Sequence, residues 1–186
     1  MSRLIVLGCD PSLRNWGLAL GSYDTVQRQL TISHLNSLHP VLSKGKQVRQ
    51  NSLDLESAAQ LFKGTYPYTK GIQAMFVEVP VGSQSARAMA SYGICVGILG
   101  SLRASGTPFF EVTPTEVKLA GPGHKTATKE EMIEWAMTKH PEANWPMHQG
   151  KVSAAKAEHQ ADAVGAIYAG MSCNAFQQML PLLAAA

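Results

Sequence analysis

Four side chains, far apart along the chain, have chemistry that would work in concert: Asp10, Glu78, His159 and Asp162. Asp10 closes the apolar run "LIVLGC". Glu78 sits in "MFVEV", among large apolar neighbours where a carboxylate is seldom placed. His159 and Asp162 are three residues apart in a segment of helical spacing, so they share a face. Carboxylates gathered in one place repel one another and lose water, and each unpaired buried charge is costly unless it takes up a proton. A divalent cation removes that conflict. An oxygen-rich set with little sulfur suits Mg2+, with Mn2+ as a substitute, and not zinc. Such ions keep waters that can attack a phosphodiester, and two of them per site, roughly 3.5–4 Å apart, would stabilise the attacking and leaving oxygens together. Each residue also has a plainer reading: Asp10 as a turn former before Pro11, Glu78 on a solvated edge, His159 with Asp162 as a surface ion pair, and Glu158 as a solvated helix residue. Their shared settings, two strand ends and one helix face, join them.

The elements that must position them can be read in order. "LIVLGCDP" predicts a central strand stopped by Pro11. "WGLALGS" and "QLTISHLNSL" predict two more strands, making an antiparallel meander of three. "IQAMFVEVP" predicts a fourth strand; beside the first, it brings Asp10 and Glu78 to one sheet edge. "TPFFEVTP" predicts a short fifth strand. Helices are expected over "SLDLESAAQLFKGTY", with Ser52 as cap and Gly64 as stop, and over "SQSARAMASYGICVGILGSLRASG". The latter has small residues along one side, suited to a dimer face or to close packing on the sheet. Further helices follow Thr113-Pro114, start at a Thr128 cap, and fill "AAKAEHQADAVGAIYAGMSC". "PEANWPMHQGKVS" reads as a loop holding Trp145, while Trp135, Met75, Met89 and Met132 read as packing residues. The expected architecture is α/β: a mixed five-stranded sheet with the meander, flanked by helices, in a single domain over 1–172, with 173–186 as a C-terminal tail.

The chain has 186 residues, 45% hydrophobic and 16% charged, enough for one well-buried core. No apolar run of about 18 residues predicts a membrane span, and the N-terminal run leads into Asp10 with no cleavage signature. Cys9, Cys95 and Cys173 form no CxxC pair, which points to reduced thiols in a cytoplasm-like compartment. A net charge of +3 permits a nucleic-acid partner without requiring one. Lys118, Lys125 and Lys129 surround the Gly121-Pro122-Gly123 turn, whose backbone N–H groups can approach a phosphate; contacts of this kind position DNA without reading bases. Lys44 and Lys46, with Arg49, form a second basic stretch, a DNA arm or a soluble loop. Arg14, just past the first acid, would meet a phosphate or a carboxylate.

Several stretches resemble RuvC-type Holliday junction resolvases of the ribonuclease H-like superfamily. "GCDPSLRNWGLAL" resembles their first strand, with Asp-Pro-Ser and a glycine seven residues after the aspartate. "FVEVPVGSQSARAMASYGICVGIL" is similar to the second acidic strand and its following helix, "VTPTEVKLAGPGHKTATKEEMIEWA" to the Pro-x-x-Val-Lys … Gly-x-Gly … Ala-x-Lys segment, and "EHQADAVGAIYAG" to the closing helix. The resemblance spans Leu4 to Ala169, and the four motifs keep their order. It implies a ribonuclease H-like fold, a homodimer, Mg2+ dependence, and paired nicks in a four-way DNA junction with 5′-phosphate and 3′-hydroxyl ends. It also implies Asp10, Glu78, His159 and Asp162 as the catalytic, metal-holding set, His159 standing where many members have Asp. An aromatic often follows the second acidic strand in the family; here that stretch is "VPVGSQ". The alternatives are a related nuclease acting on other branched DNA or RNA–DNA hybrids, and a nonenzymatic junction binder.

Overall fold

The computed structural model describes residues 3–45 and 49–185. Among them, strands β1 (Arg3–Asp10), β2 (Trp16–Asp24), β3 (Gln29–Leu38), β4 (Ala74–Glu78) and β5 (Phe109–Val112) form one sheet in the order β3-β2-β1-β4-β5. β1, β2 and β3 pair antiparallel as a meander, whereas β4 runs parallel to both β1 and β5. The expected mixed sheet is therefore present, and β1 and β4 are neighbours. A bulge lets β3 pair Leu20 with His34 but Gly21 with Ile32. The extra residue, Ser33, breaks the two-residue alternation, so Ile32 and Leu35 both reach the same core.

Helices cover both faces. α1 (Gln50–Thr65) and α2 (Ala86–Ala104) lie on one; α3 (Pro114–Ala120), α4 (Lys129–Lys139), α5 (Ala154–Ser172) and α6 (Asn174–Ala185) follow. The two-residue period of the strands divides the core. Leu7, Cys9, Met75 and Val77 face Leu61, Cys95, Ile98 and Leu102 of α1 and α2. Leu4, Val6, Ala74 and Phe76 face Ala163, Ala166 and Ile167 of α5. No helix among the described residues is long and apolar enough to cross a membrane.

Local chemistry explains the helix starts. Thr113 and Thr128 each form a capping box, with Glu116 and Glu131 reaching back to the cap N–H. α1 departs from expectation: it begins after Arg49 with no side-chain cap, and Gly64 lies within it and not at its end. The loop expected over 141–153 contains a small hairpin of β6 (Met147–His148) and β7 (Lys151–Val152). Trp145 in that segment is buried, donating from Nε1 to the His140 carbonyl at 2.9 Å. Trp135 is half-buried with its ring edge-on to Tyr168, and Met89, expected to pack, is exposed. Residues 174–185, expected only as a tail, are α6: Phe176 is fully buried against Phe76 and Phe110.

Candidate active site

Asp10 and Glu78 end the parallel strands β1 and β4, one step beyond the Cys9–Val77 pair. By the period of two, they point to the same side as Val6, Gly8, Ala74 and Phe76, the side covered by α5. The carboxyl ends of parallel strands are where open α/β sheets commonly hold ligands.

What brings α5 to the acids is an absence of side chains. A Cβ on Gly8 would run into the Ala163 carbonyl, and one on Gly17 into the backbone of His159. Gly17 is paired with Asp10 across β1 and β2, so α5 lies directly over the first acid. At the far end of the helix, Gly170 rests against the Phe76 ring with no room for a methyl group. Alanines and glycines dominate the buried side of α5 for the same reason. The sequence did carry this signal: isolated glycines in apolar strands mark a close backbone approach.

His159 Nδ1 lies 2.5 Å from Asp10 Oδ2, with side-chain exposures of 18% and 13%. Burial works against charge on His159, but the hydrogen bond and charge of Asp10 outweigh it and raise the imidazole pKa. Burial pushes the Glu78 carboxyl up to about 8, with the charges of Asp10 and Asp162 adding to it. Burial likewise raises Asp162 to about 7, together with the charges of Asp10 and Glu158 and against those of His159 and Lys118. These couplings put all four predicted residues in one electrostatic neighbourhood. Among the described residues no three His, Cys, Asp or Glu side chains stand close enough together to enclose an ion.

Lys118 is the functional neighbour whose place the sequence did not reveal. Expected as a DNA contact, it is half-buried on α3, and its charge acts on both Glu78 and Asp162. The next residue inward, Val117, packs on Gly165 of α5, which fixes α3 beside the site. Lys129 also stands near Asp162 but is engaged by Glu158 at 2.6 Å; Glu158 is thus an ion-pair partner and not a freely solvated residue. Lys125 is exposed on the turn between α3 and α4, and Arg14 is exposed four residues beyond Asp10. Lys44 is exposed on a segment pinned to α1 by Val41 with Gln60 and Ser43 with Glu56. Lys46 lies outside the described residues.

No family model matches the chain, and no curated protein matches its sequence. Solved structures do match. RuvC of Thermus thermophilus in complex with a Holliday junction substrate superposes with a TM-score of 0.63 at 18% identity, over 96% of each chain. A second Thermus thermophilus RuvC structure gives 0.61 at 18%, over 96% of this chain and 97% of that one. The chain has the RuvC fold. The resolvase of fowlpox virus, in complex with its Holliday junction, matches more distantly, with a TM-score of 0.51 at 14% identity over 95% of this chain and 99% of that one. The RuvC fold is ribonuclease H-like, as the motifs implied. In this chain Asp10 and Glu78 stand at the carboxyl ends of two inner strands, the meander strand β1 and its parallel neighbour β4.

Proposed function

We propose that the chain is a metal-dependent, structure-selective DNA endonuclease that resolves four-way junctions by paired nicks. The observation that supports this most is the gathering of Asp10, Glu78, His159 and Asp162 at one edge of a sheet whose fold matches RuvC solved with junction DNA. Three carboxylates and an imidazole are a donor set for Mg2+ or Mn2+. The raised Glu78 and Asp162 fit that use, because each needs either a proton or a cation to compensate its charge. When bound, two such ions would supply Lewis acidity and an activated water for in-line attack, giving 5′-phosphate and 3′-hydroxyl ends.

The remaining work falls to the chain's own residues. Lys118 offsets the negative charge of the acids and meets the incoming phosphate. Lys125 and Lys129 hold the DNA backbone beside it, Lys129 keeping two of its three donors beyond Glu158. Arg14 and Lys44 would extend the basic track.

Paired nicks call for two sites, and α2 offers a surface for a second copy of the chain. Gly93, Gly97 and Gly100 do not pack on the sheet; a Cβ at any of them would meet nothing within 4 Å. Met89 and Val96 on the same helix are exposed, and apolar grooves run along both flanks, one against Phe62 of α1 and one against Phe109 of β5.

The deciding experiment uses a synthetic immobile four-way junction with Mg2+. Symmetric nicks in opposing strands are expected from the natural chain. Asp10→Asn should bind the junction and leave it whole; cutting by that variant at the natural rate would refute the site. A second reading, junction binding without cleavage, draws support from the engagement of Asp10 by His159. It requires that neither Mg2+ nor Mn2+ elicit cutting at any concentration. Flap and RNA–DNA hybrid substrates in the same assay separate the related nucleases.

A further inference from the structure

A groove of about 480 Å3 runs along α4, between that helix and the segment where β7 leads into α5. That volume is in the range of ligand pockets, roughly 300–1,000 Å3. Its lining is mostly apolar. Ile133 and Met137, four residues apart and so neighbours on the helix surface, form one wall; Val152 and Ala154 form the other. Met147 extends the apolar surface. It is paired with Val152 across the β6–β7 hairpin, which puts both side chains on one face, and it is 61% exposed. Met137 and Met147 are flexible thioethers, side chains that adapt readily to an apolar guest.

The rim is acidic. Glu130 and Glu134, also four residues apart, line the same groove, and both are exposed. Like charges at that spacing repel and weaken a helix. Among the described residues neither forms an ion pair, and Lys129, the cation next to Glu130, is engaged by Glu158. These two acids are exceptions. Every other carboxylate outside the candidate active site is held by a cation, a histidine or a hydrogen-bond donor. A chain of net charge +3 thus keeps its two unengaged outlying acids on one apolar groove.

We propose that this groove docks a basic amphipathic helix of a partner protein, its apolar stripe on Ile133, Met137, Val152 and Met147 and its Lys or Arg residues on Glu130 and Glu134. The inference is independent of the cleavage reading. Charge selects this occupant. Two carboxylates repel the phosphates of DNA, and a small apolar ligand would leave them uncompensated. A second copy of this chain fits poorly, because none of its described helices carries two Lys or Arg residues three or four apart. A helix laid in a groove presents anchors at i, i+3, i+4 and i+7. On α4 the facing surface has the matching spacing, an apolar pair beside an acidic pair. The apolar contact supplies most of the affinity, and the rim charges steer the approach and choose the partner.

The test titrates the full chain into two labelled synthetic helical peptides and reads fluorescence anisotropy. Both peptides carry the same leucine stripe; one has lysines beside it, the other glutamates. The lysine peptide should bind roughly tenfold tighter than the glutamate peptide, against the net positive charge of the chain, and added salt should narrow the gap. Glu130→Gln combined with Glu134→Gln should weaken the lysine peptide about tenfold, the range for losing two exposed ion pairs. Both substitutions are at exposed positions and relieve a like-charge pair, so the variant keeps the fold. With 13C-methyl methionine, the Met137 and Met147 signals should shift as the lysine peptide is added, while that of Met75, buried on the other face of the sheet, stays in place. Equal binding of the two peptides, equal binding of the lysine peptide by the natural and Gln chains, or unmoved Met137 and Met147 signals would overturn the inference. So would a self-association in sedimentation that the Gln chain loses, which would give the groove to a second copy.

Discussion

The two faces of the sheet use glycine in opposite ways. On the α5 face, Gly8, Gly17 and Gly170 point inward, and their missing side chains let two backbones touch. On the other face, large residues such as Leu7, Met75, Leu61 and Leu102 fill the space under α1 and α2, and the glycines of α2 point away from the core. Inward glycines set the distance between Asp10 and the helix bearing His159 and Asp162. Outward glycines leave a low, open surface. The same residue type thus serves precision on one side and access on the other.

The sharpest way to break this contrast is Gly17→Ala. The new methyl group meets the His159 backbone and not a flexible side chain, so α5 must lift from the sheet. A loss of about 3 kcal/mol is expected, of the order seen for overpacked cores. Denaturant melts read the loss, and junction cutting should vanish with it. An unchanged melt would show that α5 does not sit where the site requires.

Glu78→Gln probes the charge confined on the α5 face. In the folded chain the Glu78 pKa is raised to about 8, above the usual carboxylate value. The folded state therefore holds a proton that the unfolded state releases as pH rises, and stability falls with rising pH between roughly 4.3 and 8. In chelator, the Gln variant should be more stable than the natural chain by about 4–5 kcal/mol at pH 8 and nearly equal to it at pH 4.5. An equal gain at both pH values would mean that charge is not the cause. Adding Mg2+ should raise the melting temperature of the natural chain at pH 8 and much less that of the variant.

On the outward side, Gly97→Ala should be tolerated and stabilise the isolated chain by about 0.5–1 kcal/mol, because Ala is the better helix former and nothing stands in its way. Gly97→Arg should keep the fold but abolish self-association in sedimentation. A Gly97→Arg chain that self-associates like the natural one would place any dimer contact elsewhere.

The smallest effect concerns His140, buried at the C-terminal end of α4. Tyr168 Oη lies 3.1 Å from its Nε2 and Glu142 Oε1 3.3 Å from its Nδ1. Burial holds its pKa below the ordinary value, with Glu142 acting in the opposite direction. The unfolded chain then takes up this proton first as pH falls. The stabilisation is present above about pH 6.5 and is lost on acidification towards the lower folded value. Melts of His140→Gln across pH 7 to 5 should show a flatter dependence than those of the natural chain.

Much of this was legible in the sequence, where the code is local. The end of β1 at Asp10, the capping boxes at Thr113 and Thr128 and the common face of His159 and Asp162 depend on neighbours a few residues away. Less legible were features whose partners come from remote segments. The ion pair of Lys129 with Glu158 joins two different helices and has no local signature. Trp145 does lie in a loop, but its burial was not legible because the fold that buries it includes β3, where Leu35 is bound to the neighbouring Asn144. The segment after Cys173 carried no polar signal, yet Phe176 closes an aromatic cluster with Phe76 and Phe110.

The sequence by itself determined the kinds of element, their order, and which acids stood at strand ends and on a helix face, because strand alternation, helical spacing and capping are set by residues close along the chain. Only the tertiary structure decided how near α5 comes to the sheet, that Lys118 joins the acids, and which way the glycines of α2 face. Those outcomes depend on two backbones meeting across the core, and such contacts follow from the packing of distant segments and not from any local pattern.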